Sequence, residues 1–241
     1  MVNTKKFSIE DAYKIANETC QIVNLLIKGS DDIDYIIKKI KEVGPNPENS
    51  TILETLRRSA FTTYISWSIP TIDVLNGITT FINDEKVLEI GSGHGLWAKL
   101  LKLRNVDILA TDSFSTNYSE YNKTLTHIQP ISAIAAINTF FDINVLMIVW
   151  PSYEDSFAFD SLSNFKGNKL VYIGEEKYGC CACDEFFKEL SSEWELDEFL
   201  KLERWDGIHD NCYLYTRKQV VETVFDISGL FIEDGIICGT G

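Results

Sequence analysis

With 241 residues and 45% apolar composition, the chain has enough hydrophobic material for one sizeable α/β core, which excludes wholesale disorder. A formal net charge of −14, relieved only by small basic pairs such as Lys38-Lys39 and Arg57-Arg58, argues against a general nucleic-acid binder and favours a small-molecule or protein partner. No apolar run reaches a membrane span and MVNTKKFSIEDAYK lacks a signal peptide's apolar core, so a cytoplasmic protein with six free thiols is expected.

In chain order, the first helix is expected from about Ser8 to Lys28. Ser8 caps it, Glu10-Asp11 suit its positive end, and Ile15, Ile22, Leu25 and Leu26 recur at helical spacing. A second helix is expected from about Asp31 to Val43, stopped by GPNP. A third starts near Ser50 and carries its pattern up to Pro70. From Lys86 the rhythm changes. KVLEI, VDILATD, NVLMIVW and NKLVYIGE read as strands. LWAKLLKLR, ISAIAAINTFF and the segment near Asp184 to Ser192 read as helices between and after them. WELDEFLKLE and CYLYTRK read as a late antiparallel pair. Alternation of this kind predicts a mostly parallel sheet covered by helices. The expected division is an N-terminal helical extension over 1–70 and an α/β domain over 71–241.

The stretch VLEIGSGHGLWAKLL is the most informative. A dinucleotide-binding turn would read G-x-G-x-x-G, but after Gly91 and Gly93 its third position is Leu96, and no Gly-Lys-Ser/Thr follows for a phosphate loop. The loop instead reads E-x-G-x-G-x-G, filled by Glu89, Gly91, Gly93 and Gly95, with Ser92 between the first two glycines. A carboxylate at the strand end disfavours a phosphate and favours a cation. Asp112, followed by Ser113, ends the next strand, where a carboxylate can accept hydrogen bonds from ribose hydroxyls.

These residues resemble motif I of the class I S-adenosylmethionine-dependent methyltransferases. The resemblance implies a Rossmann-like class I methyltransferase fold. It has a mostly parallel seven-stranded sheet with helices on both faces, here with an N-terminal helical extension. It also implies S-adenosylmethionine as cofactor and methyl transfer as the reaction. In that superfamily the fourth strand often ends in [D/N]-P-P-[Y/F]. Here the turn reads Trp150-Pro151-Ser152-Tyr153, and Trp150 cannot accept an amine hydrogen bond, whereas its face can hold a cation or an aromatic ring. Together with YISWSIP, LATD, LVYIGE, CDEFF and WDGIHDNCYLY, this turn is similar to a poorly characterised methyltransferase-like family whose fourth-strand motif is W-P-x-Y. The resemblance spans about Tyr64 to Arg217 and implies no acceptor.

By the same resemblance, Glu89, Gly91, Ser92, Gly93, Gly95, Asp112, Ser113 and Trp150 are the expected cofactor-binding residues. Tyr64, Trp67, Pro151 and Tyr153 are the expected acceptor-side residues, with Pro70 a further wall candidate. His209, in WDGIHDN, and Glu175, at a strand's carboxyl end, are the expected catalytic residues. No metal is expected, since the CCAC spacing of Cys180, Cys181 and Cys183 is not that of a zinc knuckle. The rival readings are an inactive cofactor-binding scaffold and an NAD-dependent oxidoreductase. Aminopropyl transfer is a third, which would need acids such as Glu154 and Asp155 near the fourth strand.

Overall fold

The computed structural model describes residues 8–114, 124–219, 230–233 and 236–239. Three helices come first: α1 (Ile9–Lys28), α2 (Ile33–Val43) and α3 (Thr51–Tyr64). Each starts where a short polar side chain can take an orphan backbone N–H. Ser8 and Asp11 form a reciprocal capping box on α1, Asp32 accepts from Tyr35 N on α2, and Ser50 accepts from Leu53 N on α3. Arg57 ties the three together. Its guanidinium meets Glu18 of α1 at 3.3 Å and donates to the Glu42 carbonyl near the end of α2 at 3.0 Å.

The third helix stops at Tyr64 rather than running to Pro70, and a fourth, α4 (Ile72–Ile82), begins after a new cap at Thr71. Thr71 accepts from Val74 N, and the chain leaves α4 through Asn83 in a left-handed conformation. Gly77 lets α4 approach the sheet closely, because a Cβ there would fall 2.4 Å from Leu200 Cδ1.

The α/β part runs β1 (Val87–Ile90), α5 (Leu96–Lys102), β2 (Ile108–Asp112), β3 (Gln129–Pro130), α6 (Ala133–Thr139), β4 (Val145–Val149) and α7 (Phe157–Asn164). It continues with β5 (Lys169–Gly174), α8 (Asp184–Glu193), β6 (Trp194–Lys201) and β7 (Asn211–Arg217). The sheet has seven strands in the order β3-β2-β1-β4-β5-β7-β6. The neighbours from β3 to β5 pair in parallel, and β7 pairs antiparallel with both β5 and β6. A separate hairpin joins β8 (Leu230–Glu233) and β9 (Ile236–Gly239).

Alternation along the central strands sends side chains to two cores. Val87, Val145, Val171 and Leu214 face one core with α1, α2, α4 and α5. Leu88, Leu146, Leu170 and Tyr213 face the other with α6, α7 and α8. The front helices therefore share a continuous core with one face of the sheet. The expected mostly parallel seven-stranded sheet with helices on both faces is the fold of the chain. Strand order reverses between β1 and β4, and in open α/β sheets the crevice beyond the carboxyl ends at such a switch is where ligands bind.

Candidate functional site

Glu89 occupies the third position of β1, with Ala110 of β2 on one side and Met147 of β4 on the other. It is 1% exposed and its Oε2 has no hydrogen-bond partner. Burial pushes its carboxyl up to about 8; Ser92 and Lys102 pull against that shift and Asp112 adds to it. An unpartnered carboxyl in the wall of a sheet edge is costly, and a cation or N–H donor would relieve that cost.

The glycine turn follows. Gly91, Gly93 and Gly95 all have positive φ, at 63°, 55° and 78°. A Cβ on Gly93 would meet nothing within 4 Å, so the turn presents bare backbone to open space there. At Gly95 a Cβ would press on Thr126 at 2.9 Å, so this glycine is required by packing. Ser92 locks the turn to β2: its N–H donates to the Thr111 carbonyl at 3.0 Å and its Oγ accepts from Thr111 N at 3.1 Å.

Asp112 holds the turn from the other side. Its Oδ2 accepts from Gly93 N at 2.8 Å and its Oδ1 from Phe114 N at 2.7 Å. Each oxygen keeps acceptor capacity beyond these bonds. Ser113, the next residue, is exposed.

The end of α3 roofs the turn. His94, inside the glycine loop, has its Nε2 2.8 Å from the Thr63 carbonyl. This brings the segment after α3 over the β1 edge. Trp67 there stacks on Trp150, with centroids 5.7 Å apart and planes 18° from parallel. Both indoles are partly open to solvent, and Trp67 is 39% exposed. Trp150 sits just past β4 with φ 50°, unusual for a bulky side chain, and its N–H donates to the Ile173 carbonyl at 2.7 Å. Tyr64 is partly exposed beside this pair in sequence, and Pro70 is buried. Pro151 is buried and its carbonyl accepts from Ala182 N at 3.2 Å, whereas Tyr153 is exposed. Glu154 and Asp155 are both exposed, and Asp155 accepts from Phe157 N at 2.8 Å.

The two expected catalytic residues meet. Glu175 is 4% exposed just past β5; its Oε1 accepts from His209 N and its Oε2 from Cys180 N, both at 2.7 Å. This carboxylate staples the loop after β5 to the loop before β7 and leaves the His209 ring at the surface. Next to His209, Asp210 is 2% exposed, and burial pushes its carboxyl up to about 6; Ser68 and Arg204 oppose the shift and Glu175 adds to it. Asp210 Oδ1 and Ser68 Oγ are both buried without a hydrogen-bond partner.

The edge therefore gathers Glu89, Gly91, Ser92, Gly93, Asp112 and Trp150 with Trp67. Glu175 and His209 form a second group at β5 and β7. Ser68 has no signal in the sequence beyond being a polar residue inside YISWSIP, and Asp210 is signalled only as the acid next to His209 in WDGIHDN, where adjacency in sequence does not make it an orienting group in space. Cys181 is buried and Cys180 exposed, and Cys183 precedes α8 as its cap residue. No helix among the described residues is long and apolar enough to cross a membrane.

No protein-family model matches the chain, and no curated protein matches it. Solved structures resemble it at low identity. One is a Burkholderia thailandensis 1,6-didemethyltoxoflavin-N1-methyltransferase with bound 1,6-didemethyltoxoflavin and S-adenosylhomocysteine. It is 9% identical over 61% of this chain and 77% of that one, with a TM-score of 0.44. TehB from Haemophilus influenzae is 16% identical over 67% of each chain, with a TM-score of 0.41. A SAM-dependent methyltransferase from Archaeoglobus fulgidus is 15% identical over 60% of this chain and 93% of that one, with a TM-score of 0.39. What those proteins bind is a property of those proteins.

Proposed function

We propose that the chain is an S-adenosylmethionine-dependent methyltransferase whose cofactor lies across the carboxyl ends of β1, β2 and β4. The observation that carries this reading is Glu89: a buried carboxyl with an unpartnered oxygen, set behind a glycine turn whose Gly93 faces open space. The residues present fit the group. Glu89 suits its cationic methionine end, and the bare backbone at Gly93 admits its body. Asp112 retains acceptor capacity for ribose hydroxyls. When bound, the sulfonium supplies an activated methyl with a neutral leaving group.

The chain's own residues then have limited tasks: to align an acceptor, exclude water and, for some acceptors, receive a proton. The Trp67–Trp150 stack offers an apolar, electron-rich wall for a planar or cationic acceptor. Tyr64, Pro151 and Tyr153 extend that wall in this reading, while Gly95 and Ser113 frame the cofactor side. His209 is the proposed proton acceptor. Glu175, with both oxygens engaged by backbone N–H groups, acts by positioning the His209 loop. Residues 1–70 serve as a helical extension over a methyltransferase domain at 71–241.

The test is calorimetry with adenosylmethionine, adenosylhomocysteine and NAD, followed by detection of adenosylhomocysteine release over a library of small-molecule and protein acceptors. Tight NAD binding without adenosylmethionine binding sinks the reading. Cofactor binding without turnover on any acceptor would turn it into a scaffold.

A further inference from the structure

Helix α1 carries two apolar faces, and the fold covers one of them. Ile15, Ile22 and Leu26, with Thr19 between them, are buried against the rest of the chain. A second set, Ile9, Tyr13, Ala16, Cys20, Val23 and Ile27, recurs at alternating steps of four and three residues. That is the spacing of a coiled-coil seam, sustained from the first residue of the helix to its last turn. At 3.6 residues per turn the seam lies roughly 110° around the helix from the buried face and is about 27 Å long. Ile9 is 73% exposed, Tyr13 72% and Ile27 42%; Ala16 and Cys20 are exposed as well, and Val23 alone is partly packed on the core. Single apolar residues scattered over a surface need no cover, but an ordered stripe along one helix marks a docking surface.

This seam matches itself. Turned end for end on a second α1, about a two-fold axis level with Glu18, it sets Ile9 against Ile27, Tyr13 against Val23, and Ala16 against Cys20 of the second copy. The small pair then falls at the crossing point, where two helices must approach most closely, and the larger side chains fall to either side.

Charge agrees with the same direction. Glu10 and Lys28 stand about five full turns apart, so they share one side of the seam. Both are exposed, and among the described residues neither has an ion-pair partner. End-for-end pairing brings each Glu10 beside the other copy's Lys28, twice by symmetry, and sets the two helix dipoles in opposition. A parallel pair would leave these charges about 27 Å apart, at opposite ends of the seam. Helix α1 holds three acids, Glu10, Asp11 and Glu18, and two lysines, Lys14 and Lys28, which is close to balance in a chain of net charge −14. Its surroundings therefore repel a second copy less than the rest of the surface does, and offer no strong field to a cationic partner.

We infer that two copies of this chain associate through α1, antiparallel about Glu18, with the six seam residues buried between them and Glu10–Lys28 pairs at both ends. One helix pair of this length buries less than an obligate dimer does, so the association is reversible and follows concentration. It is independent of what the glycine-turn edge binds.

The test is sedimentation equilibrium of the full chain in about 0.15 M salt, where repulsion between the two net charges is screened beyond about 8 Å. The mass is expected to rise from that of one chain to that of two, with a dissociation constant on the order of 10 µM. Tyr13→Glu and Ile27→Glu, at exposed positions, are each expected to weaken the dimer at least about tenfold while leaving the urea melt of the monomer in place. Glu10→Lys alone is expected to weaken it about fivefold, and Glu10→Lys with Lys28→Glu to restore it. A chain that stays monomeric to about 200 µM overturns the inference. So does a dimer indifferent to Tyr13→Glu and Ile27→Glu, or one weakened by Glu10→Lys that Lys28→Glu fails to restore. A chain that does not self-associate but binds phosphatidylserine vesicles through the same residues would overturn it in favour of a lipid surface.

Discussion

Glu89 concentrates the chemistry at single-residue scale. An ordinary glutamate titrates near 4.5, and burial holds this one near 8 in the folded chain. Its folded value lies above its unfolded one, so its stabilising contribution is complete below about pH 4.5. That contribution is lost as pH rises through about 8. Glu89→Gln should therefore stabilise the protein at pH 7 by roughly 3 kcal/mol relative to its effect at pH 4, read from urea melts at both values. The same substitution should abolish adenosylmethionine binding, because an amide cannot ionise to meet a cation. Wild-type affinity for adenosylmethionine should grow as pH rises from 6 to 8, with proton release seen in calorimetry across buffers of different ionisation heat. A flat pH profile would detach Glu89 from the cofactor. Asp112→Ala removes the acceptor for two backbone N–H groups as well as for ribose, so it should cost about 1–3 kcal/mol of stability in addition to affinity. If the melt is unchanged, the carboxylate does not hold the turn.

At the scale of elements, the front helices are joined to the sheet through one core rather than appended to it. Leu26 in α1 and Ile40 in α2 are fully buried in the cluster that includes Val87 and Val145. Either residue changed to Ala should cost about 2–5 kcal/mol and leave a single unfolding transition. Two separated transitions would make the helices an independent unit. Much of this layer was legible in the sequence, because Ser8, Asp32 and Ser50 are short polar caps ahead of periodic apolar runs. The strands were legible because parallel strands buried on both faces read as unbroken apolar runs such as VLMIV. Helix α4 was not, since TIDVLNGITTFI carries Gly77 at its centre and its cap, Thr71, directly follows Pro70. The two-residue β3 is too short for periodicity to register. At the site, the glycine spacing announced Gly91, Gly93 and Gly95 because each needs a conformation that other residues rarely adopt. The contact of Glu175 with His209 N had no such signal, since it joins two loops far apart in sequence.

For the whole molecule, strand order decides what the residues can do together. Placing β1 between β2 and β4 brings Glu89, Asp112 and Trp150 to one edge, and α3 carries Trp67 over it. A net charge of −14 favours a cationic ligand there. The Trp67–Trp150 stack is expected to couple the extension to the sheet by about 1 kcal/mol in a double-mutant cycle followed by urea unfolding, and additivity would show that the indoles act independently. The proposal as a whole rests on the glycine-turn edge accepting adenosylmethionine. Calorimetric titration of the wild-type chain and of Gly93→Val with this ligand and with NAD tests it most directly. Saturable adenosylmethionine binding in the wild type, loss of that binding in Gly93→Val, and no competing NAD affinity are expected. NAD binding in place of adenosylmethionine, or adenosylmethionine binding that survives Gly93→Val, would contradict it.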